Sequence, residues 1–108
     1  MKGYQITFFT QQDRHHKRKP LAEWLMLAAR DIGVLGVTIV SGSEGYGHHR
    51  RIHSARFFEL ADQPQEVVMA VSEEESLRLF ELLKAEGVHL FYVKTPVEFG
   101  VLGEPEND

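Results

Sequence analysis

The chain has 108 residues and a mass of 12.4 kDa, with 43% hydrophobic and 26% charged side chains, which suits one domain with a modest core and excludes a wholly disordered chain. It contains no cysteine, so disulfides, thiolate-ligated metals, iron–sulfur clusters and a cysteine nucleophile are excluded. The net charge of −4 is unevenly spread: residues 1–61 hold nine Lys and Arg against five Asp and Glu, and residues 62–108 hold three against eleven. The basic half also holds five of the six histidines, which suggests a region that faces anions.

Residues 4–9 alternate and are rich in β-forming types, which predicts a first strand. Residues 11–19 are polar and charged and read as a loop. Pro20 suits a first helical position, because its missing N–H would be unpaired there in any case. Leu21, Trp24, Leu25, Ala28 and Ile32 then recur at helical spacing, and Gly33 ends the helix. A second strand is expected over 36–41. Residues 43–56 hold glycine-separated polar stretches with no sustained period, and 57–60 form a short third strand segment. Residues 62–65 are a turn, and the apolar run 67–71 is a strand of buried type.

Ser72 and Glu75 form a capping box, and Glu73, Glu74 and Glu75 suit the positive end of a helix. Leu79, Phe80 and Leu83 mark its apolar stripe, widened by Leu77 and Leu82, and Gly87 stops it. Residues 90–93 are the last core strand. The predicted organisation is one domain over 1–95, then an extension with an acidic tail over 96–108. No apolar run approaches the roughly 18–20 residues of a membrane span, and the first residues lack the apolar stretch of a signal peptide, so a cytoplasmic location is expected.

The order β-α-β-β-α-β predicts an α+β protein, a ferredoxin-like sandwich with an antiparallel sheet and both helices on one face. Val67, Met69 and Val71 point one way along their strand while Val68 and Ala70 point the other, and Leu90 and Tyr92 oppose Phe91 and Val93 in the same manner. Two helices cover only one apolar face, so a homo-oligomer is expected to cover the second.

The stretch 43–56 is about fourteen residues, a length at which loops in compact domains usually carry function. Gly42, Gly45 and Gly47 allow close backbone approach, and Arg50 and Arg51, with Arg56, supply bidentate donors for phosphate or carboxylate. Lys19, just before the first helix, is a further anion ligand at a helix N-terminus. Tyr46 is a candidate partner contact or stacking residue. His48, His49 and His53 are the alternative chemistry, a site for a divalent transition metal. His53 reads equally well as a structural residue bonded to backbone. The basic run over 14–19 reads as solvated surface. Without interleaved aromatics it does not look like a nucleic-acid site, and no nucleic acid is expected. No nucleophile–base order or paired carboxylates emerge, so no catalytic residue is assigned and no enzyme is expected.

The segment Gly42-Ser43-Glu44-Gly45-Tyr46-Gly47-His48-His49-Arg50-Arg51-Ile52-His53-Ser54 resembles the signature of the PII-like proteins of domain-of-unknown-function family 190. Its pattern is a glycine, an aromatic–glycine pair, then Ile-His-Ser/Thr. The flanks match as well: Lys19-Pro20-Leu21 opening the first helix, the passage 33–39 into the second strand, and Leu60-x-Asp62-x-Pro64 before an apolar strand. The resemblance covers residues 4–95. It implies a trimer with its sheets packed inward and a kinship with PII signalling proteins. It also implies a long loop after the second strand (the T-loop) that engages partners, a membrane transporter among them. Effectors, often adenine nucleotides, bind in such proteins in clefts between subunits near the loop base. On that basis Gly42, Gly45, Gly47, Arg50, Arg51, His53, Ser54 and Lys19 are expected to hold an anionic effector. The expected function is a signalling protein that senses this effector and acts on a protein partner through 43–56. A transition-metal-binding module is the alternative.

Overall fold

The structure, a computed structural model, describes residues 1–42, 44–46, 52–54 and 63–103. Four long strands form one antiparallel sheet: β1 (Lys2–Gln11), β4 (Val37–Ser41), β7 (Pro64–Ser72) and β8 (Phe91–Glu98), in the order β4-β7-β1-β8. Helix α1 (Leu21–Ile32) links β1 to β4, and α2 (Glu73–Ala85) links β7 to β8. This is the ferredoxin-like split β-α-β arrangement that the element order predicts. Register is set by pairs such as Phe8↔Val67 and Phe8↔Tyr92 on either side of the central β1, and Val37↔Met69 at the β4 edge.

The core lies between the sheet and the helices. Ile6 and Phe8 from β1 and Val67, Met69 and Val71 from β7 meet Leu21, Leu25 and Ala29 from α1 and Leu79 and Leu83 from α2. The period-two alternation of each strand and the 3.6-residue spacing of each helix place these side chains on facing surfaces. Helix α1 ends at Gly33, whose φ of 106° is left-handed and whose N–H bonds back to the Ala29 and Arg30 carbonyls. Helix α2 starts on a complete capping box: Glu75 N–H donates to Ser72 Oγ at 3.1 Å, and Ser72 N–H donates to the Glu75 carboxylate at 2.8 Å. Toward the β8 edge, Phe8, Phe80 and Tyr92 stack in tilted pairs with centroids 4.9–6.4 Å apart, and Lys94 Nζ sits 4.1 Å from the Tyr4 ring centre.

Several expectations need correction. Residues 11–19 are not a plain loop: β1 runs on to Gln11, and β2 (His15–His16) and β3 (Lys19–Pro20) form a small hairpin paired His16↔Lys19. Its turn residues Lys17 and Arg18 have φ of 50° and 68°. Pro20 is the N-cap of α1 rather than its first helical residue, with no side-chain cap. Leu77 does not widen the α2 stripe but is exposed, because its angular position faces away from the sheet. The last strand starts at Phe91, not Leu90, and continues through Pro96 to Glu98, so 96–98 belong to the sheet. Proline is tolerated there because β8 is an edge strand, where a nitrogen facing outward loses no ladder bond. The strand segment expected over 57–60 lies outside the described residues.

The stretch 43–56 carries regular structure as well. Strands β5 (Glu44–Tyr46) and β6 (Ile52–Ser54) form a two-stranded antiparallel ribbon with Glu44↔Ser54, Gly45↔His53 and Tyr46↔Ile52 opposed. Three pairs per strand are too short for any period to show in the sequence.

Candidate functional site

The strand directions bring the candidate elements to one end of the sheet. Gln11 at the end of β1 lies opposite Pro64, Ser41 at the end of β4 lies opposite Gln65, and Phe9 lies opposite Phe91 at the start of β8. Helix α1 begins at this end and α2 finishes there. The ribbon β5–β6 follows β4 directly, and its base is tied to the sheet. Gly42 N–H donates to the Pro64 carbonyl at 2.8 Å, Gln63 Nε2 donates to the Gly42 carbonyl at 3.3 Å, and Gln12 N–H donates to the Gln63 carbonyl at 2.9 Å. These bonds hold the ribbon base against the strand that leads into the hairpin.

The sequence-predicted residues divide accordingly. The Gly42 amide is committed to Pro64, and the φ of Gly42 is not left-handed, so it serves as the hinge-side anchor of the ribbon. Gly45 and Tyr46 lie in β5, and His53 and Ser54 in β6, where backbone pairing sets Gly45 opposite His53. Lys19 lies in β3, exposed, immediately before the N-cap of α1. Gly47, His48, His49, Arg50, Arg51 and Arg56 lie outside the described residues. Among the described residues, no three His, Asp or Glu side chains converge as metal ligands.

One cluster at this end has no counterpart in the sequence analysis. The backbone carbonyl of Arg14 accepts the N–H of Leu21 at 2.8 Å, which satisfies one of the open donors at the start of α1. Arg14 Nη2 donates to the His89 carbonyl at 2.9 Å, across the turn that follows α2. Burial pushes the Arg14 guanidinium down from its ordinary value, and the neighbouring Asp13 opposes this. Beside it, His16 Nε2 donates to Glu86 Oε1 at 2.8 Å, since an ionised carboxylate can only accept. Lys17 Nζ lies 2.9 Å from the same oxygen and 3.1 Å from the other. The hydrogen bonds from His16 and Lys17 hold the Glu86 carboxyl below its ordinary value. The His16 ring stands edge-on to Trp24 of α1, with centroids 4.6 Å apart and planes at 73°.

A weak signal for this cluster does exist in the sequence. Glu86 is an acid at the negative end of a helix, which is unfavourable on its own. Such a residue calls for a cationic partner from elsewhere, and the run 14–19 is the densest source.

Two open clefts lie at the opposite end of the sheet. One, of about 430 Å³, runs under the face away from the helices, between Thr38, Val68 and Ala70 on the sheet and Phe99, Gly100 and Val101 of the segment after β8. The other, of about 420 Å³, is lined by Lys2, Tyr4, Glu73, Pro96 and Glu98. No described helix is long and apolar enough to cross a membrane.

Comparison with known proteins agrees with this architecture. Over 84 residues the chain is 30% identical to a UPF0166 protein of Aquifex aeolicus (strain VF5), covering 78% of this chain and 79% of that one. Its fold superposes with a TM-score of 0.70 on CPII, a nitrogen regulatory PII-like protein from Thiomonas intermedia K12 solved with ADP, AMP and bicarbonate, at 21% identity, covering 94% of this chain and 91% of that one. A Thermus thermophilus protein described as PII-like signaling matches with a TM-score of 0.62 at 20% identity, covering 90% and 86%. Residues 3–91 match the model of family DUF190 (Uncharacterized ACR), and the chain therefore belongs to that family and has the PII-like fold.

Proposed function

We propose that this protein is a regulatory protein that senses a small anionic effector, an adenine nucleotide, and acts on a protein partner through residues 43–56. The observation that carries the reading is the ribbon β5–β6, anchored at Gly42 and Gln63 beside the end of β1, on a fold shared over nine-tenths of its length with a protein that binds ADP and AMP. Gly42 anchors the ribbon, Gly45, His53 and Ser54 belong to its paired strands, and Gly47, Arg50, Arg51 and Lys19 complete the proposed effector ligands, the cationic ones donating to phosphate. Tyr46 contacts the partner, a membrane transporter being one class that such a ribbon would serve. Effector binding beside the ribbon changes the affinity of residues 43–56 for the partner. The apolar second face of the sheet supports assembly with further copies, a trimer in this reading, and the location is cytoplasmic. No catalytic step is assigned.

Titration calorimetry with ADP, AMP, ATP and bicarbonate, each alone and in pairs, tests this. Binding of at least one nucleotide is expected, weakened about tenfold or more in Arg50→Ala or Arg51→Ala through loss of a charge-assisted contact. Undiminished binding in both variants overturns the arginine assignment. No heat with any nucleotide, alongside zinc binding that His48→Ala abolishes, would replace the nucleotide with a metal on His48, His49 and His53.

A further inference from the structure

We propose that His16, Lys17 and Glu86 form a proton-dependent latch, which ties the hairpin β2–β3 to the end of α2 and tightens as His16 takes up a proton. The hairpin is under local strain, because Lys17 and Arg18 both hold left-handed backbone that side chains other than glycine adopt at a cost. Asn-Gly or Asp-Gly, the residues that favour such a two-residue turn, are absent. The hairpin therefore depends on what holds it from outside. Two attachments do so: the backbone bonds of Arg14 to Leu21 and Gln11, and the Glu86 carboxylate gripping His16 and Lys17 from a helix end 70 residues away in sequence.

Among the described residues, the groups packed against His16 are few. Glu86 approaches from the C-cap of α2, Lys17 shares its carboxylate, Lys19 is its pair across the hairpin, and Trp24 faces it from α1 without a titratable group. Arg14, two residues earlier, is bonded to the His89 carbonyl. In the neutral ring Nε2–H already donates to Glu86, so an added proton goes to Nδ1 and turns that bond into a charge-assisted one. The His16 and Lys17 nitrogens lie 2.8 and 2.9 Å from the Glu86 oxygen they share, so a charge gained by His16 is felt by the carboxylate at hydrogen-bond distance. Imidazole is the side chain whose ordinary charge change falls between about pH 5 and 8, which sets the interval to test. This inference does not depend on the effector reading.

Hydrogen exchange of the Leu21 amide, which bonds to Arg14 across the hairpin, measures the latch in the full chain; the Leu79 amide in the core of α2 serves as control. After correction for intrinsic exchange, Leu21 protection is expected to rise about two- to fivefold from pH 8 to pH 5.5, the size of a partly exposed ion pair, while Leu79 stays level. Fluorescence of Trp24, the single tryptophan, gives the midpoint of His16 protonation in the same samples. The rise should vanish in His16→Gln and in Glu86→Gln and persist in Lys17→Gln. Level Leu21 protection in the unmodified protein overturns the latch. An undiminished rise in His16→Gln, or its loss in Lys17→Gln alone, overturns the assignment to His16.

Discussion

The two faces of the central sheet come from the same strands and carry similar apolar side chains, yet they lie in different surroundings. Toward the helices, Ile6, Phe8, Val67, Met69 and Val71 are at most 2% exposed. On the other face, Phe91 and Val93 are 46–48% exposed and Val40 is 44% exposed, beside half-buried Val68 and Ala70. Alternation assigns each residue to a face with equal force on both sides. Only the first face has helices whose stripes fit it, so only there does apolar character become packing. The second face leaves apolar side chains exposed in the single chain, which is the feature that the expected self-association would use.

The largest effect should come from the covered face. Phe8→Ala removes a ring stacked on Phe80 and Tyr92 and should cost about 3–5 kcal/mol in urea unfolding. Val93→Ser, on the open face, should cost within about 0.5 kcal/mol at dilutions that keep the chain monomeric, and more as concentration rises. Equal costs for the two at all concentrations would erase the distinction between the faces.

Gly3 sharpens the comparison at the far end of the open face. A Cβ there would overlap the Val71 carbonyl oxygen of the neighbouring strand and come within 2.9 Å of the Phe99 ring. Gly3→Ala should therefore lower stability by about 1–3 kcal/mol, because backbone has to give way. Gly36→Ala, with nothing within 4 Å of the added carbon, should change stability by less than about 1 kcal/mol. Thermal melts of the two variants compare them directly. Ser72→Ala, which opens one side of the capping box, should cost about 1 kcal/mol in the same assay.

The smallest effect is acid-dependent. Hydrogen bonds from His16 and Lys17 lower the Glu86 carboxyl in the folded protein relative to its ordinary value near 4.5. Its contribution is therefore present above that value and disappears as the pH falls through the lower folded value. Glu86→Gln should be less stable than the unmodified protein at pH 6, and the two should converge below about pH 4.5. Denaturation midpoints at pH 6 and pH 3 check this, and a constant gap would detach Glu86 from the acid limb.

Much of the candidate site lay within reach of the sequence wherever its cause is local. Gly42, Gly45, the Ile52-His53-Ser54 segment and Lys19 before the helix all fall at one end of the sheet, because strand directions follow from element order. The ribbon pairing Gly45↔His53 was hidden, since two three-residue strands leave no periodic mark. The hairpin was hidden for a different reason: Lys17 and Arg18 carry none of the usual turn residues.

What the sequence by itself determined is what neighbours along the chain decide. The capping box of Ser72 and Glu75, the left-handed stop at Gly33, the helical spacing from Leu21 to Ala28 and the period-two faces of β1 and β7 each need only a few adjacent residues and their backbone preferences. Only the tertiary structure decided which face would be covered, that 96–98 would join the sheet opposite Lys2, Gly3 and Tyr4, and that the basic run would fold onto Glu86. The last two outcomes depend on contacts between segments 69 to 98 residues apart. They form only after the sheet brings the segments together, and no local pattern encodes them.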